Sequence, residues 1–462
     1  MRGREGKAMN ASSSMAASLC CAILACGGLL PASAGPTQAV VQADGQFDFP
    51  AAVERALRQS PLLKQGTIQL EVRRLDERDG KASYWPTVHL GAVYMIDAPE
   101  SVSDPYSLRF STGDYNPVGA YFTTQARREI VRLAELTYLQ AIADGLRQAG
   151  ELFLTLAALE EAKAIQAEQL DWAGRYVAWW SNRLDRPGAP LELQAAEHER
   201  AAIRLEGDKL SIRRRQAQRN LSRLLGFDAD DPLPEIQTAI AREQVLEGYA
   251  EGVPDRERAE DRALELRMLE IHWRLQKLGV KGAYAEYLPR PTFTLRSTDP
   301  LDETQEQGLY FSAGISVPIW DAGWRRRNVL RQKALLEQRE MEQADGLENW
   351  RRQWAEACDQ RKLADAEAAL AAERLHVAEL NFTRQKIAVD AGREEWPALR
   401  IAQQGVAEAR LQAAEKALAA DLAALAMRHF SREFLDRYVA ATGLLDEGAK
   451  DELGADSGSP EK

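Results

Sequence analysis

The sequence predicts a mainly α-helical protein with a small β part, in which two long helical hairpins follow each other in tandem. Three observations support this fold class: an internal repeat of about 200 residues, two helical runs of about 65 residues, and four short segments with strand alternation. A helix of about 65 residues is about 100 Å long, which is more than a globular core needs. We therefore expect long hairpins that pack as an α-helical barrel or coiled coil.

The repeat appears as landmarks that return at a nearly constant offset. Tyr84-Trp85-Pro86 matches Tyr287-Leu288-Pro289 at an offset of 203, and Gly188 matches Gly392 at an offset of 204. The two tripeptides each precede a predicted strand, and the two glycines each lie between a long helix and its return helix. Chance is therefore a poor explanation. A period of this length is too long for a solenoid repeat, and it indicates a tandem duplication.

The first 34 residues predict a secretory signal peptide. A basic start at residues 2–7 is followed by an apolar stretch at residues 15–30 and by the cleavage signal Ala32-Ser33-Ala34. A membrane anchor and acylation at Cys26 remain as alternatives. Cleavage after Ala34 would leave Cys358 as the single cysteine, so an intrachain disulfide is excluded.

The two units have the same predicted order of elements: a helix, two strands, a long helix and a return helix. The strands are predicted from period-two alternation between turn residues, and each long helix is predicted from a long run that ends at a Gly/Pro break. In unit one the predicted elements cover residues 49–83, 87–95, 106–113, 121–182 and the segment up to Leu225. In unit two they cover residues 255–286, 289–298, 308–317, 324–389 and 394–428.

Apolar residues with heptad spacing predict contacts between helices. Leu363, Leu370 and Val377 are seven residues apart, as are Leu380 and Ile387. We expect these positions to pack against another helix.

Four strands of about ten residues have the length of tilted strands that cross an outer membrane, but a barrel needs at least eight. Open strand edges are not tolerated in lipid, so copies of the chain would have to share a barrel. Two copies would supply eight strands and three copies twelve. The helix-proximal strand ends carry aromatic residues that are typical of a membrane interface, although packing at a soluble sheet–helix junction is the alternative. These interface candidates are Tyr84, Trp85, Tyr287, Trp320 and Trp324.

The ordered set of motifs resembles the TolC-like outer-membrane efflux protein family. The motifs are the N-terminal segment FPAAVERALRQSP, the two landmark tripeptides before the strands, and SVPIWDAG at residues 316–323. Unit one departs from the last pattern, because it has DYNPVG at residues 114–119. Some relatives carry acidic residues just after the second tip glycine, whereas residues 396–401 contain none here.

The resemblance implies a homotrimer with one shared 12-stranded outer-membrane β-barrel and a helical tunnel through the periplasm of a Gram-negative bacterium. It implies an exit duct of a tripartite efflux or type I secretion system that passively exports drugs, metals, toxins or proteins. The implied partners are outer-membrane lipid, a periplasmic adaptor (membrane fusion protein) and an inner-membrane pump. A soluble periplasmic coiled-coil scaffold or adaptor is the alternative function.

The resemblance and the repeat together divide the chain into eight parts. They are residues 1–34 (signal peptide), 35–83 (N-terminal periplasmic segment and helix), 84–119 (first β-hairpin, in the outer membrane), 120–227 (first helical hairpin), 228–286 (linker and equatorial helix), 287–319 (second β-hairpin, in the outer membrane), 320–430 (second helical hairpin) and 431–462 (C-terminal segment with a disordered acidic tail).

The free ends of the two hairpins are the best candidates for partner binding. We call residues 181–191 the first tip and residues 390–397 the second tip. The predicted contact residues are Arg183, Gly188, Gly392, Arg393, Glu394 and Glu395.

Charge and motif content exclude several other functions. The chain has 59 Lys and Arg against 70 Asp and Glu, so it lacks the basic surplus of a nucleic-acid binder. The five histidines are scattered and no nucleotide-binding or nucleophile motif is present, so we expect no enzyme activity, no cofactor and no metal site. The acidic excess further predicts a lumen lined by Asp and Glu that favours cations.

Overall fold

The computed structural model describes residues 46–94, 106–112, 115–228, 235–236, 241–246, 255–297, 309–317, 319–432 and residue 435. The predicted signal peptide with Cys26, the two loops within the strand pairs and the acidic tail lie outside the described residues. Those assignments stay predictions.

The described elements follow the predicted order in both units. In unit one they are β1 (Gln46–Phe47), α1 (Phe49–Gln59), α2 (Pro61–Ala82), β2 (Val88–Tyr94), β3 (Tyr106–Thr112), α3 (Pro117–Ser181) and α4 (Ala189–Leu224). They continue with β4 (Glu235–Ile236), α5 (Ala241–Leu246), α6 (Arg256–Asp261), α7 (Leu264–Ala285), β5 (Arg290–Ser297), β6 (Leu309–Ser316), α8 (Trp324–Asp390) and α9 (Trp396–Ser431). The four predicted strands and the four hairpin helices are thereby confirmed within a few residues.

The helix predicted before each strand pair is wrong in one respect, because each is divided in two. Ser60 separates α1 from α2 with an extended backbone, since Pro61 disfavours the helical conformation of the residue before it. Ala263, which is also extended, separates α6 from α7 without a proline. Pro61 then starts α2, where its missing N–H costs nothing.

The four long strands form one antiparallel sheet in the order β2-β3-β5-β6. The strands of each unit form a hairpin, and the two hairpins join where Phe110 of β3 lies opposite Leu295 of β5. Within the described residues the outer edges of β2 and β6 have no strand partner. The short strands β1 and β4 pair in parallel and form a separate two-stranded sheet.

The helix α3 is central to the packing of the helical part. It packs against α4 in the first hairpin, against α9 of the second hairpin, and against α2 and α7. The helix α8 packs against α9 and α7. The helix α3 thus contacts helices of both units, whereas the main contacts of α8 are with helices of its own unit.

The main core lies where α1, α4, α5 and α9 meet the middle of α3. Phe49 meets Phe153 edge-to-face at a ring-centroid distance of 5.4 Å, and both side chains are fully buried. Arg428 of α9 ties this region together, because its guanidinium donates to the backbone oxygens of Val245 and Leu246 at 2.7 and 2.9 Å. Charged hydrogen bonds of this kind stabilise a buried backbone that lacks its own partners.

A glycine ends the first hairpin where the chain passes close to α1. Gly226 has a φ of +71°, and a Cβ at this position would lie 2.5 Å from the carbonyl oxygen of Gln59. Only glycine fits both conditions. The preceding Leu225 is fully buried, so the turn anchors the end of α4 in the core.

Candidate functional site

The four-stranded sheet has one apolar face and one polar face. Residues that pair directly across strands lie on the same face, and successive residues of a strand alternate between faces. The register places Leu90, Phe110, Leu295 and Phe311 in one row. The other described members of this apolar face are Val88, Thr112, Pro291, Phe293, Ala313 and Ile315.

The apolar face has no covering element among the described residues. Leu90, Phe311 and Ile315 are 62%, 68% and 74% exposed. Phe293 and Phe311 stack on it with nearly parallel rings at 6.3 Å. The hydroxyl of Thr112 is satisfied by the backbone of Phe293, which keeps this face free of unpaired polar groups. An apolar surface of this extent marks contact with lipid or with another protein.

The opposite, polar face carries hydroxyls and positive charges. Ser111, Thr294 and Ser312 lie in one row, with His89 at its end. The neighbouring row contains Gly91, Arg109, Arg296 and Tyr310. A sheet that is apolar on one side and polar on the other is typical of strands with lipid on the outside and water on the inside.

The five predicted interface aromatics all lie at the helix-proximal ends of the strands. Tyr84 and Trp85 precede β2, Tyr287 precedes β5, and Trp320 and Trp324 follow β6. Four of them are exposed and Tyr84 is half-buried. The hydroxyl of Tyr115 donates to the backbone oxygen of Tyr84, which joins the two ends of the first strand pair. Their interfacial role remains a prediction.

Each strand pair is joined to its long helix by a side-chain cap. Asn116 accepts a hydrogen bond from the N–H of Gly119 at 2.9 Å at the start of α3. Asp321 accepts from the N–H groups of Gly323 and Arg325 at 2.9 and 3.1 Å at the start of α8. These hydrogen bonds lower the pKa of Asp321, the one from Arg325 contributing most. Unit one thus has an equivalent cap although it departs from the family motif.

The two predicted tips lie next to each other. Gly188, just before α4, and Gly392, just after α8, both have a positive φ, of +86° and +67°, which favours glycine in these turns. Arg183 is held to its own helix, because its guanidinium donates to the backbone oxygen of Trp179 and lies 4.3 Å above the Trp179 ring. Arg393 and Glu394 are exposed. Glu395 contacts Arg186 of the first tip, with both carboxylate oxygens 3.2 Å from the guanidinium.

An aromatic cluster that the sequence reasoning missed holds the tips together. Trp396 of the second tip stacks on Trp172, Tyr176 and Trp179 of α3 at ring-centroid distances of 6.0, 5.7 and 6.4 Å. Phe382 of α8 meets Trp172 edge-to-face at 6.0 Å. Trp172, Tyr176 and Trp179 have the spacing i, i+4, i+7, so they form one face of α3, and this spacing is the signal that predicts the cluster.

A buried ion pair lies next to the aromatic cluster. Arg400 of α9 contacts Glu199 of α4 at 2.6 Å and Gln403 at 2.5 Å, and its side chain is only 3% exposed. This contact joins the return helices of the two hairpins. Together with the aromatic cluster it makes the four helices converge at the tips.

The heptad residues of α8 do not pack as the sequence analysis expects. Leu363, Leu370, Val377, Leu380 and Ile387 are all exposed within the chain. We call these five residues the α8 stripe. The spacing is that of a helix–helix seam, but no helix of the described chain covers it.

No candidate metal site occurs among the described residues. The part of the chain that the structure describes contains no group of three His, Cys, Asp or Glu side chains arranged to hold a metal ion. Cys358 is a free thiol whose pKa is raised by burial. Among the described helices, none is long and apolar enough to cross a membrane.

The fold is similar to that of solved outer-membrane channels. The chain matches the outer membrane protein VceC from Vibrio cholerae with a TM-score of 0.68 and 14% identity, over 83% of this chain and 95% of that chain. It matches the Campylobacter jejuni CmeC outer membrane channel with a TM-score of 0.70 and 15% identity, over 87% and 90%. The open state of the Neisseria gonorrhoeae MtrE outer membrane channel gives 0.61 and 16%, over 83% and 88%.

No family model and no curated protein sequence matches the chain. At this level of identity the structural similarity shows the fold alone. The TolC-like fold predicted from the sequence is therefore confirmed.

Proposed function

We propose that this protein is the outer-membrane exit channel of a tripartite efflux or type I secretion system. In this proposal it acts as a homotrimer that passively exports small molecules or proteins, and it catalyses no reaction. The observation that supports it most is a four-stranded sheet with one apolar face, one polar face and two edges that have no strand partner among the described residues. The outer-membrane channels with the same fold support the proposal.

The described strands are long enough to cross most of the hydrocarbon layer of an outer membrane. Strands of seven or eight residues rise by about 3.3 Å per residue and are about 25 Å long, so at a tilt of about 40° they cover about 19 Å of an apolar band that is about 25 Å tall. The apolar face then contacts lipid, and the polar face lines water. Exposed Trp85 and Trp320 lie at the end of this band, where aromatic side chains contact headgroups.

The unpaired edges of β2 and β6 require further copies of the chain. Unpaired backbone groups are costly in lipid, so β6 of one copy pairs with β2 of the next until the barrel closes. Three copies give the twelve strands of the predicted barrel. The α8 stripe supports assembly as well, because it offers a second copy an apolar helix face that the chain itself leaves uncovered.

The tips are the proposed docking site for a periplasmic adaptor and, through it, an inner-membrane pump. They lie at the opposite end of α3 and α8 from the sheet, about 100 Å along each helix. Arg393 and Glu394 are exposed on the second tip, and Leu191 at the end of the first tip is 74% exposed. Such a mixture of exposed charge and apolar surface suits a protein partner.

A soluble periplasmic scaffold is the competing function. The long hairpins alone fit either function, so the sheet decides between them. A soluble scaffold would cover or charge the apolar face, whereas Phe311 and Ile315 are exposed and the four strands contain no Asp or Glu.

The experiment compares two neighbouring substitutions on opposite faces of β6. Phe311→Asp places a charge on the apolar face, and Ser312→Asp places the same charge on the polar face. We expect the unsubstituted protein and Ser312→Asp to fractionate with the outer membrane as heat-modifiable oligomers, and Phe311→Asp to lose this assembly. Recovery of the unsubstituted protein in the soluble periplasm, or equal behaviour of the two variants, would contradict the proposal.

A further inference from the structure

The four long strands of the sheet, β2, β3, β5 and β6, carry positively charged residues and no negatively charged ones. Their only Lys, Arg, Asp or Glu residues are Arg109, Arg290 and Arg296, and all three lie on the polar face. The chain as a whole has an excess of 11 acidic residues. The charge of the sheet is therefore opposite in sign to that of the whole chain.

Two of these arginines lie directly opposite each other. Arg109 of β3 pairs in register with Arg296 of β5, and both side chains are exposed. Directly opposed like charges destabilise an antiparallel pair, because the Cβ atoms are only about 5 Å apart. The structure places no carboxylate of the described residues within ion-pair distance of either guanidinium. An anion bound between the two guanidinium groups would relieve this repulsion.

The surroundings of the pair leave room for an anion. On β2 the residue opposite Arg109 is Gly91, which has no side chain, and on β6 the residue opposite Arg296 is Tyr310, which is 63% exposed. The next row towards the helices supplies the hydroxyls of Ser111, Thr294 and Ser312. Guanidinium groups bind planar carboxylates and phosphates through paired N–H donors, and hydroxyls can add further donors.

We propose that Arg109 and Arg296 form an anion-selective ring in the outer-membrane part of the pore. This inference rests on the proposed function, because the trimer brings three such pairs to one level of the lumen. The solutes it favours are anions: inorganic anions and organic molecules with carboxylate or phosphate groups. The ring reverses the cation preference expected from the net charge, because selectivity follows the charge that lines the pore wall.

The first test measures ion selectivity of the purified full-length oligomer in planar bilayers. A potassium chloride gradient across the bilayer gives a reversal potential, from which the chloride-to-potassium permeability ratio follows. We expect a ratio above 1 that falls at least about threefold in the Arg109→Gln, Arg296→Gln double variant. The charge-retaining Arg109→Lys, Arg296→Lys variant should keep the preference.

The matched control removes two arginines outside the sheet. Arg58 and Arg258 lie on the short helices α1 and α6 and make only exposed ion pairs. Arg58→Gln, Arg258→Gln changes the net charge by the same amount and should leave the ratio unchanged. Cation preference of the unsubstituted channel, or an equal effect of both double variants, would overturn the ring.

The second test separates failure of the ring from failure of the proposed function. An oligomer that conducts no ions in bilayers would contradict the channel, but its arginine pairs can still be probed in detergent. Sulfate stabilises folded proteins in general more than chloride does, so the part due to the arginine pair is read as a difference between proteins. At equal ionic strength we expect sodium sulfate to raise the melting temperature over sodium chloride by more in the unsubstituted protein than in the Arg109→Gln, Arg296→Gln variant. The same sulfate effect in both proteins would overturn the ring.

Discussion

The substitution Trp396→Ala should release the second tip from the first. Trp396 makes three ring contacts across the interface, with Trp172, Tyr176 and Trp179, at centroid distances of 5.7 to 6.4 Å. Each such pair contributes about 0.5–1.5 kcal/mol beyond area burial, so their loss amounts to about 2–4 kcal/mol. The ion pair between Arg186 and Glu395 contributes less than about 1 kcal/mol, because both side chains are largely exposed. The aromatic cluster therefore dominates the contact between the tips.

Amide hydrogen exchange at residues 398–404 measures this release directly. A loss of about 2–4 kcal/mol in the local opening free energy accelerates exchange about 30-fold to 1000-fold. Trp396→Phe keeps a stacking ring and is the matched control, with a much smaller acceleration. Arg186→Ala should accelerate exchange less than about fivefold. Unchanged exchange in Trp396→Ala, or a larger effect of Arg186→Ala, would refute the reasoning.

Three further predictions concern stability, each read by thermal or denaturant unfolding of the solubilised protein. Gly392→Ala should lower the free energy of unfolding by about 1–2 kcal/mol, because an alanine is strained at the φ of +67° even though nothing lies within 4 Å of the added Cβ. An unchanged free energy of unfolding would refute this. Arg400→Ala should cost about 2–3 kcal/mol, since it unpairs the half-exposed Glu199; a loss below 1 kcal/mol would count against a structural role. Burial lowers the pKa of His429, although Asp144 lies 3.4 Å away and acts in the opposite direction. The folded state therefore binds the His429 proton less tightly than the unfolded state does, and the free energy of unfolding should fall as the pH drops below about 6.5. His429→Asn should flatten that fall, and an unchanged pH profile would contradict the assignment.

The strands and long helices could be predicted because their patterns are local. Alternation through Phe293 and Leu295 determines which face of β5 is apolar, and the predicted limits differ from the observed ones by one residue at each end. The break between α6 and α7 was not predicted, because it depends on contacts between residues that are distant in sequence. No proline or glycine lies at Arg262 and Ala263, and the break forms where Ala259 and Ala263 pack against Trp350 and Trp354 of α8, residues far away in sequence.

For the candidate sites as well, features that depend on local sequence could be predicted, and contacts between distant residues could not. The tip glycines could be located from the repeat, and in the structure Gly188 and Gly392 have a left-handed conformation that favours glycine. The contact between the tips was not predicted, because Trp396 belongs to one repeat and its three ring partners to the other. The heptad spacing of the α8 stripe predicts a seam, but within the described chain these residues are exposed, and spacing alone does not say whether a partner helix belongs to the same chain.

The opposing charges of sheet and chain also show a limit of composition. The acidic excess of the whole sequence predicts a cation-favouring lumen, whereas the strand register places Arg109 opposite Arg296 on the polar face. Net charge adds up the charges on all surfaces of the protein, whereas the strand register shows which charged residues lie on one face of the sheet. Ion selectivity depends on the residues that line the pore, so the register is the better guide to it.

The number of copies in the detergent-extracted complex tests the central claim most directly. A chain that contributes four strands with two unpaired edges cannot close a barrel alone, so native mass spectrometry of the mature protein should give a mass of three copies. A stable single copy that stays in solution without detergent would contradict the shared barrel.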